Sequence, residues 1–207
     1  MVGKTSISTR FIKGKFIKID LSNRTINTNC YQKRLQIDNL IFNLNVWDTA
    51  GEEKYHAMAP IFYRGAEGAV VIFDVTNRET FNRATKWFHE LSEFAEGNPK
   101  IILVGNKIDL PNRVVSNEEA TALAHKYKCN FLEVSALLGT NVNEIFNSLA
   151  LTIHQGKKRN SENYGGGMGE INYNNPSNNN NSNRGRKFNI VTNNENLASA
   201  NRKGSCC

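Results

Sequence analysis

Apolar positions along the first 155 residues change period several times, and each change marks an element. From Lys4 to about Gly14, Ile7, Phe11 and Ile12 recur at helical spacing, the pattern of an amphipathic helix. Residues 16–30 carry no period and read as a long loop. Tyr31, Lys33, Leu35 and Ile37 then alternate with their neighbours, Asp38-Asn39 reads as a turn, and Phe42, Leu44 and Val46 alternate again. This predicts a hairpin whose second strand ends in Trp47-Asp48-Thr49-Ala50-Gly51. The unbroken run Ala69-Val70-Val71-Ile72-Phe73 reads as a strand covered on both faces and closed by Asp74. Phe81, Ala84, Trp87, Phe88 and Leu91 place a helix over Thr80 to Glu96. Ile101 to Val104 reads as a second buried strand, running into Gly105-Asn106-Lys107. Ser116 and Glu119 form a capping box that opens a helix to about Lys128. A short strand over Phe131 to Val134 follows, and Val142, Ile145, Phe146, Leu149 and Ile153 mark a last helix. Strands alternating with helices predict an α/β fold: an open, mostly parallel sheet with helices on both faces and ligands beyond the carboxyl ends of its strands.

Composition divides the chain at about residue 156. Of its 207 residues 39% are hydrophobic, enough for one packed domain, expected over residues 1–156. Beyond Gln155 Asn, Gly and Ser dominate, with Gly165-Gly166-Gly167 and Asn178 to Asn181 among them. Residues 157–207 therefore read as a disordered tail. That tail holds eight basic and three acidic residues, a net of +5, which leaves +2 of the total +7 to the body. A nearly balanced body argues against nucleic acid as a partner, while a basic tail suits an anionic membrane surface. No segment approaches the roughly eighteen apolar residues of a membrane helix. The start lacks the basic-then-apolar layout of a signal peptide, so a cytosolic location is expected. The four cysteines, at positions 30, 129, 206 and 207, have neither disulfide regularity nor zinc spacing. Cys30 and Cys129 read as reduced thiols.

The candidate chemistry lies at the expected strand ends. Val2-Gly3-Lys4-Thr5-Ser6 fits the second half of the phosphate-binding loop G-x-x-x-x-G-K-[ST], placed as that loop requires, at the start of a helix. Asp48 follows one strand, Asn106-Lys107-Ile108-Asp109 a second and Ser135-Ala136 a third. Each alone is more often a cap or a turn. Their ordered combination with Gly3-Lys4-Thr5 points to one nucleotide site.

These motifs, with Asn43 to Gly51, Phe62-Tyr63-Arg64-Gly65-Ala66 and Phe73-Asp74-Val75-Thr76, resemble a small GTPase of the Ras superfamily, and the Rab branch within it. The resemblance covers residues 1 to about 155. Lys54 to Pro60 is similar to the second switch of early-endosomal and phagocytic Rabs. It implies a P-loop small G domain that hydrolyses GTP to GDP, uses Mg²⁺ and acts as a switch in vesicle traffic. Lys4 would pair with the β- and γ-phosphates, flanked by Val2, Gly3 and Ser6. Thr5 and Thr25 would ligate Mg²⁺, Asp48 would hold it through water, and the Gly51 N–H would sense the γ-phosphate. Thr25 is chosen because it lies 22 residues before Trp47. Asp109 would read guanine's N1–H and N2 amine, with Asn106 supporting the base edge and the Lys107 stem covering the ring. Ser135, the Ala136 N–H and Leu137 would complete that pocket. Cys206-Cys207 resembles a double geranylgeranylation site, which implies prenyl-transfer and membrane-extraction machinery as partners. It also implies peripheral attachment to the cytosolic face of membranes, endosomal by the second switch. Exchange factor, activating protein and effectors would engage residues 17–30 and 51–65.

Departures from the family pattern fall at defined places. Glu52 stands where a Gln orients the attacking water, and an ionised carboxylate only accepts hydrogen bonds. Leu137 replaces the Lys of SAK, Thr25-Ile26-Asn27 replaces TIG, and Cys30 replaces an aromatic residue. Met1 stands three residues past the expected first Gly, so the family's first strand, central in its sheet, is expected to be missing and two inner sheet edges to lack a neighbour. Either the sequence lacks its N-terminus, or the chain is a degenerate member that binds nucleotide poorly. The alternative to a cycling GTPase is a membrane-anchored scaffold that recruits partners without turnover.

Overall fold

A computed structural model describes residues 1–18, 28–49, 63–164 and 186–192. Helix α1 (Lys4–Lys13) comes first, then strands β1 (Asn29–Ile37), β2 (Leu40–Asp48) and β3 (Gly68–Asp74). Helix α2 (Arg78–Phe94), β4 (Lys100–Asn106), α3 (Asn117–Lys126), β5 (Asn130–Val134), α4 (Val142–Tyr164) and β6 (Arg186–Thr192) follow. The six strands form one sheet in the order β1-β2-β6-β3-β4-β5. Only β1 and β2 are antiparallel, joined through Asp38 at φ 51°, a left-handed turn position that Asp tolerates.

Period-2 alternation in the buried strands sorts the side chains between two layers. Val70, Ile72, Ile102 and Val104 face α1 and α4, where Ile7, Phe11, Ile145, Phe146 and Leu149 complete a core. Ala69, Val71, Phe73 and Leu103 face the opposite way, against Ala84, Trp87, Phe88 and Leu91 of α2 and Ala120 and Ala124 of α3. Phe11 stacks on Phe146 with ring centroids 3.8 Å apart, a contact worth about 1 kcal/mol beyond burial. The helices thus cover both faces, as the alternating strands and helices predict.

Helix ends follow their local chemistry. Asn77 accepts from the Glu79 and Thr80 amides at the start of α2. The capping box at α3 has both its bonds, Glu119 N–H to Ser116 Oγ at 3.2 Å and Ser116 N–H to Glu119 Oε2 at 3.0 Å. Gly14, left-handed at φ 70°, closes α1 by donating to the Arg10 carbonyl. Lys33 reaches from β1 to the Phe11 carbonyl and lies 4.0 Å from the Phe11 ring centroid. Burial holds its ammonium below the usual lysine range.

Two expectations fail together. The position between β2 and β3, expected to lack a strand, holds β6, which comes from the segment expected to be disordered. β6 runs parallel to β2 from Phe42↔Arg186 to Asp48↔Thr192, and parallel to β3 from Gly68↔Ile190 to Val70↔Thr192. Open inner edges leave backbone N–H and C=O groups without partners, and the one stretch of the tail with consecutive β-branched residues, Ile190-Val191-Thr192, meets that demand. Ile190 is fully buried in the α1/α4 core, which contributes about 2 kcal/mol of transfer free energy. The 21 residues between α4 and β6 cost little extra, because closure entropy grows only logarithmically with length. The last helix also outruns its expected end and continues through Lys157, Lys158 and Arg159 to Tyr164.

Candidate functional site at the carboxyl ends of the strands

Nine polar or charged residues are buried among those described: Lys4, Ser6, Ser8, Thr9, Asp48, Thr49, Asp74, Asn106 and Ser135. Seven of them, all but Ser8 and Thr9, lie in the first turn of α1 or at the carboxyl ends of β2 to β5. Burying polar groups is costly unless they have work or partners, so their concentration at one rim of the sheet singles out that rim.

Gly3 is where the rim begins. It caps α1 in the left-handed region, at φ 92° and ψ 30°, which costs other residues strain. A Cβ there would lie 2.5 Å from the Asn106 amide nitrogen. Asn106 is 1% exposed and uses both ends of its amide. Its Nδ2 donates to the Val2 carbonyl at 2.8 Å, and its Oδ1 accepts from the Ala136 N–H at 3.2 Å. The start of α1 and the loop after β5 are therefore stapled through one side chain. Asn106 thus faces inward, its amide bonded to the Val2 carbonyl and the Ala136 N–H. Full burial is the reason, since an inward amide must find its partners inside the protein.

The loop after β5 is built around Ser135. Its Oγ donates to Asp109 Oδ1 at 2.5 Å and accepts from the Leu138 N–H at 3.0 Å, while its carbonyl accepts from Gly139 at 2.8 Å. Asp109, half-buried, is thereby held beside the loop that Asn106 anchors. Leu137 and Leu138 are exposed on it. Lys107, at φ 70°, sends its ammonium to Asp74 Oδ2 at 2.5 Å. Asp74 also accepts from the Thr76 amide at 2.9 Å and hydroxyl at 2.7 Å.

Two residues here were not expected from the sequence. Asp74 reads there only as the end of a strand, yet it anchors Lys107. Arg10, on α1, donates from Nη2 to the Leu138 carbonyl at 3.0 Å. Gly139, left-handed at φ 85°, leaves room for that guanidinium, which a Cβ would approach to 2.7 Å. Nothing in the periodicity of α1 marks Arg10, because its partner lies 128 residues away.

Lys4, Thr5 and Ser6 stand in the first turn of α1, where helix N–H groups and the dipole favour an anion. Asp48 is fully buried at the end of β2. With burial first, its carboxylate helps hold the Tyr31 hydroxyl above the usual tyrosine range. Among the described residues no group of three or more His, Cys, Asp or Glu gathers to cage a metal. A cation at this rim would take the Thr5 hydroxyl, water held by Asp48 and phosphate oxygens, an oxygen set of the kind that suits Mg²⁺. Thr25, Gly51, Glu52, Cys206 and Cys207 lie outside the described residues, as do most of residues 17–30 and 51–65.

A family model described as "Ras family" matches residues 1–155. The chain is 41% identical over 159 residues to the Ras-related protein Rab5A of Oryza sativa subsp. japonica, covering 75% of this chain and 76% of that one. It is 42% identical over 151 residues to the Ras-related protein RABF2a of Arabidopsis thaliana, covering 72% and 74%. Matches of that extent, on a sheet whose strand ends gather the buried polar groups of one rim, show that the chain belongs to the Ras family, as a GTP-hydrolysing small GTPase of the Rab type.

Proposed function

We propose that the rim formed by α1, β2, β4 and β5 binds GTP and GDP, and that the protein cycles between the two as a switch in endocytic vesicle traffic. The observation that carries this reading is the clustering of buried polar side chains around the left-handed Gly3. Lys4 and the first-turn amides, with Val2 and Ser6 beside them, take the phosphates. Mg²⁺, when bound, neutralises charge developing on the phosphate oxygens. Thr5 would give it a hydroxyl, Asp48 would orient its water, and Thr25 would join them in the GTP state.

Asp109 accepts from guanine's N1–H and N2 amine. Its bond from Ser135 leaves the carboxylate further acceptor sites and fixes its plane. Adenine would leave that acceptor facing no donor, the mismatch that binding sites reject most strongly. Lys107, held by Asp74, lays its stem beside the base, and Leu137 lines the outer edge. Asn106 acts by position, fixing Val2 of the phosphate loop and Ala136 of the base loop in one frame. Gly51 senses the γ-phosphate and Glu52 stands beside the attacking water. Exchange factor, activating protein and effectors read the segments 17–30 and 51–65.

Cys206 and Cys207 carry prenyl groups, and two chains anchor stably where one is marginal. The basic tail adds attraction to anionic lipid on the cytosolic, endosomal face. The decisive experiment is chromatographic identification of nucleotide released from the purified full chain. GDP supports the cycling switch; retained GTP supports a persistent on-state, and no nucleotide overturns the reading. Intact mass after expression with prenyl-transfer machinery tests the anchor, two isoprenoid additions being expected and none in the double variant Cys206→Ser/Cys207→Ser.

A further inference from the structure

We propose that the end of the molecule opposite the nucleotide rim is a basic face that lies against the headgroups of an anionic membrane, so that the bound protein points its rim away from the lipid. The contact stands on the charges of the folded domain, and only its bearing on nucleotide rests on the function proposed above.

The polarity comes from helices that all run one way. β3, β4 and β5 are parallel, and α2, α3 and α4 each start beyond the carboxyl end of one of them. α1 starts at Gly3, close against Asn106 at the end of β4. A helix favours acids in its first turn and bases in its last, and parallel helices add that local preference into a separation of charge across the molecule. Glu79 opens α2, Glu118 and Glu119 open α3, and Glu144 opens α4, all beside the rim that buries Asp48 and Asp74. At the other end α1 closes with Lys13 and α3 with His125 and Lys126. Lys15 and Lys128 follow them, and all four lysines are exposed. The later turns of α4 add Lys157, Lys158 and Arg159, next to Gly156, which lies against Lys100 at the start of β4.

Ion pairs sharpen the contrast. At the nucleotide rim it is cations that are tied, Arg78 to Glu119, Lys107 to Asp74 and Arg113 to Glu133. At the far end it is acids, Glu67 to Lys157 and Glu96 to Arg64. Asp38 and Glu93 also lie at the far end, where the basic residues outnumber them.

The net charge of only +2 on the body hides this arrangement. β3, with its seven residues, is about 23 Å long, nearly three times the Debye length of about 8 Å at physiological salt. A surface that touches the far end therefore meets the lysines and is screened from the acids of the rim. Each lysine close to anionic lipid strengthens binding about fivefold. The charges lie at the ends of three separate helices. Lipid headgroups diffuse sideways to meet charges so scattered, whereas a nucleic acid presents its phosphates at fixed intervals along one track, so a membrane is the partner that fits.

The full chain, purified without lipid attachment, tests this on vesicles of phosphatidylcholine with and without phosphatidylserine. It should sediment with the phosphatidylserine vesicles and be released by high salt. On those vesicles Lys13, Lys15, Lys126 and Lys128 should be shielded from an amine-acetylating reagent, with Lys86, midway along α2, still reactive. Lys13→Glu/Lys15→Glu should weaken vesicle binding at least about tenfold while GDP affinity stays that of the wild type. If that variant does not fold, Lys126→Glu/Lys128→Glu carries the same expectation. Wild-type vesicle binding by the variant, which would assign the attraction to residues 157–207, overturns the proposal, as does shielding spread evenly over all lysines. Shielding by RNA but not by vesicles overturns it in favour of nucleic acid. Vesicle binding with the four lysines shielded, in a chain that binds no guanine nucleotide, overturns the functional reading while the membrane contact stands.

Discussion

Gly3 and Glu52 show how single residues set the terms of this site. Gly3 combines a φ of 92° with the close approach of Asn106. Gly3→Ala should therefore destabilise by about 1–3 kcal/mol and lower the thermal midpoint, with nucleotide affinity falling alongside. An unchanged melting curve would reject the strain. In the proposed site Glu52, as an ionised side chain, could not donate to the γ-phosphate and would add negative charge next to it. Glu52→Gln should raise the single-turnover rate of GTP hydrolysis by about tenfold, ~1.4 kcal/mol of barrier; matching rates would sink the idea. Both residues stand out in the sequence because a motif gives each a position. Asp74 does not, since an acidic residue closing a buried strand is explained equally well as a turn, and its role depends on Lys107 reaching it across 33 residues of chain.

At the scale of elements, the site depends on two ties between α1 and the loop after β5. Asn106 makes one through Val2 and Ala136, and Arg10 makes the other through Leu138. Arg10→Ala removes a bond at the surface, worth about 1 kcal/mol. It should speed nucleotide release about fivefold, by the same energy, and lower the melting temperature by a few degrees. Stopped-flow release of a fluorescent GDP analogue reads this directly; an unchanged rate would show that Asn106 alone carries the coupling. The helices and strands themselves were largely legible beforehand. Alternation in β1 and β2, the apolar runs of β3 and β4 and the capping box of α3 are local patterns, and each element formed where its pattern lay. Boundaries moved by a few residues, as with α2 opening at Arg78, two residues before the expected Thr80, because Asn77 caps it there.

For the whole molecule, the buried groups of the core facing α2 and α3 set an alkaline limit. Burial raises the Cys129 thiol from 9.0 to about 11 and holds the Tyr63 hydroxyl far above the usual tyrosine range. Each folded group keeps its proton more tightly than the unfolded one, so the folded state binds more protons in the interval. Stability is then full below pH 9 and is lost as pH rises towards 11 and beyond. Denaturant midpoints across pH 8 to 11 should fall, and Cys129→Ala should flatten the early part of that fall. An identical slope in the variant would assign the loss elsewhere. The α/β class, the two-faced sheet and the line of candidate residues along its strand ends follow from the sequence by itself, because period, caps and motif spacing are properties of neighbouring positions. The central strand was decided only by the tertiary structure. Arg186–Thr192 carries no local signal strong enough to stand out from an Asn- and Gly-rich segment. It becomes a strand because β2 and β3 present two parallel edges whose backbone groups must be paired, and that demand arises only when distant parts of the chain have come together.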